Sequence, residues 1–203
     1  NLMTHNPKIT RREALGATTA LLTTPAFAQE PIKEISVALV GGAHIHTPQY
    51  VDAMKRTKGI KPKYAWDADA ERAKKRAGEL GCKATDDLKT IWEDPEVAAV
   101  VICSETTQHH DLVLAAAKAK KHMFVEKPLG STAKESFAMA AAIEKANLLF
   151  TTGYFMRTAP AHIFLKEQIA AGNLGKITRA RGSNCHSGSL GGWFDGEYRW
   201  MAD

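Results

Sequence analysis

The chain reads as an α/β protein, a doubly wound parallel sheet followed by the start of an α+β second domain. Short apolar runs alternate with amphipathic, helix-length stretches from residue 34 to about 153, the pattern of successive βαβ crossovers. Val97-Ala98-Ala99-Val100-Val101-Ile102 is continuously apolar, as a strand covered on both faces must be. Gly41-Gly42 follows the first apolar run directly, where such a fold turns tightly from strand into helix.

Glu34 to Val40 is the first strand, and Pro48 to Thr57 is the helix behind it, with its proline in the first turn. Pro62 to Trp66 is a second strand, ending at Asp67. Asp69 to Leu80 is a polar helix with Ala73, Ala77 and Leu80 on its inner side and Gly81 placed as its C-terminal cap. Asp86 or Asp87 can cap a short helix from Leu88 to Glu93, closed by Pro95 before the Val97 to Ile102 strand. His110 to Ala119 is the next helix and Met123 to Val125 the next strand. Ser131 to Ala146, capped by Ser131 or Thr132, is a long alanine-rich helix, and Leu148 to Thr152 is the strand after it. Pro160 to Ala171 has amphipathic spacing, Gly172 and Gly175 flank a turn, and Lys176 to Ser183 alternates like a strand with one solvated face. Residues 34–153 therefore form one domain, and residues 154–203 begin a second that is incomplete.

Lys8, Arg11 and Arg12 precede a modestly apolar run to Leu22, and Pro25-Ala26-Phe27-Ala28 supplies the small residues of a cleavage site. Residues 1–28 are thus expected to be a signal peptide, too short to span a bilayer, with the paired arginines pointing to the twin-arginine route and a periplasmic or otherwise exported product. Its loss removes three positive charges and Glu13, taking the net charge from +5 to +3. That surplus is too small to argue for nucleic acid, and no membrane partner is expected after cleavage. Cys82, Cys103 and Cys185 form no CxxC and are odd in number, so no disulfide framework can be read; Cys103 looks like a small core residue.

The glycine turn, Gly41-Gly42-Ala43-His44-Ile45-His46, matches G-x-G-x-x-G only at Gly41, with Ala43 and His46 in place of the later glycines. In a Rossmann-type dinucleotide unit this turn and the helix behind it hold the pyrophosphate, so Gly41, Ala43, His44 and Ile45 are candidate contacts. The bulk of His46 is accommodated if the helix starts later, with Thr47 as cap and Pro48 as its first residue. His44 and His46 could instead ligate a metal, although no cysteine or carboxylate stands near them in the sequence, and no metal is assigned. Asp67, at the second strand's end, is placed for a ribose diol and disfavours a 2′-phosphate; Arg72 lies close by, so NAD is expected, with NADP possible. The alternative for Asp67 is a helix cap. Ser104, Thr106 and His109, after the Val97 to Ile102 strand, could hold the nicotinamide ribose; alternatively Thr106 to Gln108 simply start a helix and His109 is a surface residue. Glu126-Lys127-Pro128 follows a further apolar strand, where a lysine partly withdrawn from water can exchange protons near neutrality, and proline permits a cis bond that would aim it. The alternative is an exposed loop lysine before a turn.

Together these motifs resemble the Gfo/Idh/MocA oxidoreductases over residues 34 to about 200. Glu126-Lys127-Pro128 is the most specific match; Ser104, Glu105, Thr106 and His109 stand for the family's Thr-Pro-Asn-x-x-His loop, with Glu105 replacing its proline. Arg157 after Gly153-Tyr154, and Gly172-Asn173-Leu174-Gly175, also match. The resemblance implies that Glu126 bonds a cofactor ribose and that Lys127 is the catalytic lysine beside nicotinamide and substrate hydroxyl. It further implies hydride transfer to or from a sugar or polyol carbon, a homo-oligomer, and an aspartate and histidine partner to Lys127 that are expected beyond Asp203. The chain is accordingly expected to be a piece of a longer protein, inactive alone. Two rivals share the fold: an NAD-dependent glycosidase, and a non-catalytic sugar-binding or assembly protein, which the altered glycine turn motivates.

Overall fold

The structure is a computed structural model that describes residues 33–202; the expected signal peptide lies outside the described residues. Six parallel strands, β1 (Ile35–Val40), β2 (Ile60–Trp66), β3 (Lys83–Thr85), β4 (Val97–Ile102), β5 (His122–Val125) and β6 (Phe150–Thr152), form one sheet in the order β3-β2-β1-β4-β5-β6. The helices between them are α1 (Thr47–Arg56), α2 (Ala70–Leu80), α3 (Lys89–Trp92), α4 (Thr106–Lys118) and α5 (Ala133–Ala146), and α6 (Pro160–Ala170) follows the sheet. The doubly wound arrangement is the expected one, with three local differences.

β3 is an added strand that the apolar pattern does not announce, because three residues are too few to show a period. It pairs with β2 from Tyr64↔Lys83 to Trp66↔Thr85. α4 begins at Thr106, four residues before His110, and so carries His109 into the helix. No strand forms at Lys176–Ser183, which is exposed and irregular. Alternation alone cannot hold a strand there, since its backbone groups meet no neighbouring ladder among the described residues.

Alternation along β1 explains how both faces are covered. Val37 and Leu39 face one core with Val51 and Met54 of α1 and Ala77 and Leu80 of α2. Ala38 and Val40 face the other, with Leu112 and Val113 of α4 and Met139 and Ile143 of α5. Cys103 is a buried core residue as expected, and the three cysteines are free. Capping follows the sequence where the chemistry is local: Asp69 accepts from the N–H of Glu71 and Arg72, Thr132 from Glu135, and Gly81 closes α2 at φ +67°. Thr47, by contrast, is the first helical residue of α1 rather than its cap, and its hydroxyl donates to the His44 carbonyl at 2.6 Å. No described helix is long and apolar enough to cross a membrane.

The register sets the site. Thr85, Trp66, Val40, Ile102, Val125 and Thr152 form one aligned row across the sheet. Backbone bonds extend one step further, from Gly41 N to Trp66 O, Cys103 N to Val40 O, Glu126 N to Ile102 O and Gly153 N to Val125 O. Asp67, Gly41, Cys103, Glu126 and Gly153 therefore stand level at the carboxyl edge, where open α/β sheets bind ligands.

Candidate functional site

β1 and β4 are neighbours although five elements of sheet and helix separate them in sequence, so the crevice lies between the turn after β1 and the loop after β4. Gly41 has φ +81°, and a Cβ there would lie 2.6 Å from the backbone N and Cα of Ser104. The two loops touch at this point, and only glycine allows it. Of the turn's backbone donors, Gly42 N–H bonds Asp67 Oδ2 at 2.6 Å, His44 N–H the Cys103 carbonyl, and His46 N–H the Nδ1 of His44 at 3.2 Å. The N–H groups of Ala43 and Ile45 have no partner among the described residues. Two such groups beside a helix N-terminus suit a pyrophosphate, so the turn fits a dinucleotide in spite of its missing glycines. Arg76, nearly buried, adds positive charge by bonding the Gly42 carbonyl.

Asp67 is buried and is not a helix cap, a role that Asp69 fills. Its carboxylate accepts from the N–H of Gly42 and of Asp69 and from Arg72, with Nε at 2.8 Å and Nη2 at 2.7 Å. Arg72 also reaches Glu105 at 2.9 Å. Glu105, which replaces proline in the resemblance, thus has a defined partner, and Arg72 bridges the exits of β2 and β4.

The loop after β4 gathers the expected ribose candidates around the start of α4. Ser104 is buried against Gly41 with its hydroxyl on the Glu105 carbonyl, and Thr106 opens α4. His109 is fully buried, not a surface residue. Its Nδ1–H donates to the carbonyls of Pro128 at 3.0 Å and Leu129 at 3.2 Å, which fastens the loop that carries Lys127. The Lys127-Pro128 peptide is cis, as the sequence permits.

Glu126 is the centre of the site. It is fully buried, and its Oε1 accepts from His46 Nδ1 at 2.7 Å and from the Tyr50 hydroxyl at 2.8 Å. Its Oε2 accepts from the Lys127 N–H and lies 3.8 Å from His44 Nε2. Gly153 makes room for it, since a Cβ there would lie 2.6 Å from Oε2. The carboxylate expected to hold a ribose is thus engaged by protein donors in this structure. Sequence reading missed Tyr50 and Gly153 here; His46, the cap residue of α1, and Tyr50 in its first turn are spaced i,i+4 and were the available signal.

His44, His46 and Glu126 bring one ligand atom each within 4.8 Å of one another, so the carboxylate absent from the histidines' sequence neighbourhood arrives from β5. The hydrogen bonds favour a proton cluster over a cation cage. His46 N–H donates to His44 Nδ1, so the His44 proton sits on Nε2, the atom facing Glu126, whereas a metal needs that nitrogen bare. Burial lowers the His44 pKa to about 4 and also lowers that of His109. The unfolded chain binds these protons near 6.5 and the folded chain does not, so this stability is complete above about pH 6.5 and is lost as pH falls toward 4. Thermal unfolding should show Tm falling across that window, with a shallower fall in His44→Asn; identical slopes would refute the assignment.

Lys127 opens with His46, Tyr154, Arg157, His186 and Trp193 onto a cavity of about 870 Å³ beside the crevice. Residues 35–154 match the profile of an oxidoreductase family with an NAD-binding Rossmann fold. This chain belongs to the Gfo/Idh/MocA family. A myo-inositol 2-dehydrogenase of Thermotoga maritima is 39% identical over 111 residues, 54% of this chain and 33% of that protein. A 1,5-anhydro-D-fructose reductase of Ensifer adhaerens is 31% identical over 144 residues, 70% of this chain and 43% of that protein. The crystal structure of an NAD-binding oxidoreductase from Klebsiella pneumoniae superposes with a TM-score of 0.62 at 28% identity, covering 70% of this chain and 40% of that one. The chain thus spans less than half the length of these Gfo/Idh/MocA relatives. Its match covers the sheet, the glycine turn and the Lys127 loop, which form the NAD-binding part of the family.

Proposed function

We propose that the chain carries the cofactor half of an NAD-dependent oxidoreductase moving a hydride between nicotinamide and a hydroxyl-bearing carbon of a sugar or polyol. The observation that carries this reading is Lys127, fixed at the exit of β5, level with the glycine turn and open to a cavity shared with His46, Arg157 and His186. Relatives named for inositol and for an anhydro sugar support the substrate class. A bound dinucleotide would supply hydride acceptance and donation. The chain's own part is to hold the pyrophosphate at Ala43 and Ile45, to meet a ribose at Asp67, and to polarise the hydroxyl or take its proton at Lys127. Residues 154–203 begin the substrate and oligomerisation domain, the complete protein works as a homo-oligomer, and the twin-arginine signal in residues 1–28 exports it already folded; the family resemblance supports the first two points and the sequence of residues 1–28 the third.

The deciding experiment supplies the complete protein with NAD and a panel of polyols and simple sugars. NADH formation is the expected result. Release of sugar from an aryl glycoside with no net NAD turnover would establish the glycosidase instead, and absence of NAD binding in calorimetry would remove both.

Cofactor choice gives a separate prediction. Asp67→Ala should weaken NAD binding by on the order of 10- to 100-fold, the size of lost charge-assisted hydrogen bonds, and should relax discrimination against NADP. It also releases Arg72 from one of its two carboxylates, leaving a guanidinium available to a 2′-phosphate. Equal NAD and NADP affinities before and after the change would refute the ribose assignment.

A further inference from the structure

We infer that His46 is a second proton-transfer group of the site, a base presented to the Lys127 cavity and held in one tautomer by Glu126. The inference deepens the dehydrogenase reading and rests on it for the identity of the proton donor. His46 occupies the place of a glycine in the dinucleotide turn, yet it is not merely tolerated there. Its ring is one-fifth exposed, while the carboxylate behind it is fully buried. Glu126 Oε1 can only accept from His46 Nδ1 at 2.7 Å, so the imidazole proton lies on Nδ1 and the Nε2 lone pair is left as acceptor. His46 and Lys127 line the same cavity.

Three further contacts fix the pair. The Tyr50 hydroxyl donates to the same oxygen, the Lys127 N–H holds the other, and the His46 N–H is tied to His44. An imidazole with a buried carboxylate on Nδ1 gains a proton on Nε2 without leaving an uncompensated charge, because the carboxylate offsets the imidazolium. When a hydroxyl is oxidised, the C–H electron pair leaves as hydride to the cofactor while the O–H bond breaks and C=O forms. The released proton passes to His46 Nε2, directly or by way of neutral Lys127, and then to water at the partly exposed ring edge. The reverse reaction draws its proton along the same route.

Charged and titratable groups face His46 from each side: His44 and Tyr50 from its own turn and helix, Glu126 and Lys127 from the exit of β5, and Arg157 and His186 across the cavity. The test therefore has two readouts. In the complete protein labelled with 15N only at histidine, long-range proton–nitrogen NMR without substrate should show His46 neutral with Nδ1 protonated and Nε2 bare. A proton on Nε2 in the neutral ring would overturn the inference, and this holds whether or not the protein oxidises polyols. In turnover, His46→Gly, which restores glycine to the turn, and His46→Gln should each lower kcat on the order of 10²-fold at pH 7 and remove the histidine limb of the kcat–pH profile, with NAD affinity kept within about threefold. An unchanged profile, or a loss confined to NAD affinity, would make His46 a structural residue. If wild-type protein turns over no polyol or sugar while the tautomer is as expected, the substrate reading fails and the base assignment stands.

Discussion

Lys127→Ala should lower turnover of the complete protein by on the order of 10²- to 10⁴-fold while leaving NAD affinity nearly unchanged. The separation of the two effects follows from where the contacts lie. In the proposed reading the dinucleotide meets backbone N–H groups of the β1–α1 turn and the side chain at the end of β2, whereas Lys127 belongs to the loop after β5. That loop is fastened by groups other than the lysine ammonium. His109 donates to the Pro128 and Leu129 carbonyls, and Glu126 accepts the Lys127 backbone N–H, and alanine keeps all of these bonds. What alanine removes is, among the described residues, the cation that the β5 exit contributes to the cavity. Steady-state kinetics paired with calorimetry would measure both quantities on one preparation. Unchanged kcat would end the role assigned to Lys127, and a parallel loss of NAD affinity would move that role to cofactor binding.

Gly41→Ala should be the most damaging single change to the folded state. Its φ of +81° disfavours any side chain, and the new Cβ would stand 2.6 Å from Ser104 backbone atoms. Those atoms cannot swing aside, because Ser104 is buried and Cys103 before it is tied to β1 through Val40 and to the turn through His44. Relief requires β1 and β4 to separate at their carboxyl ends, which opens cores on both faces of the sheet. A loss of roughly 2–4 kcal/mol is expected, or about 5–15 °C in Tm for a domain of this size, together with weaker NAD binding. A Tm within a degree of wild type would show that the two loops do not pack as described.

The parts legible in the sequence are those governed by local chemistry. The apolar run of β4, the Asp69 and Thr132 caps and the Gly81 terminator each act within a few residues, so composition and spacing reveal them. Lys127 was legible for a similar reason, since a strand followed directly by Glu-Lys-Pro places the lysine at the sheet edge whatever the remainder of the chain does. The failures are cases in which distant partners decide. The burial of His109, against the alternative of a surface residue, was not legible because the carbonyls that satisfy it belong to Pro128 and Leu129. The donors to Glu126, His46 and Tyr50, were equally hidden because they lie more than seventy residues away. Lys176–Ser183 had the alternation of a strand, but alternation specifies which face is apolar and not which strand lies alongside.

The level row of Trp66, Val40, Ile102 and Val125 makes the sheet a ruler for the chemistry. Asp67 and Lys127 follow strands separated by three ladder steps, so backbone hydrogen bonds set the distance between their strands at roughly 14 Å. Side-chain substitution at either position alters reactivity and leaves that spacing untouched. Insertion or deletion of one residue in β1 or β4 would displace one end of the measure against the other. Drift in substrate or cofactor preference is therefore open to this scaffold through point changes at the strand exits, while changes of strand length are closed to it.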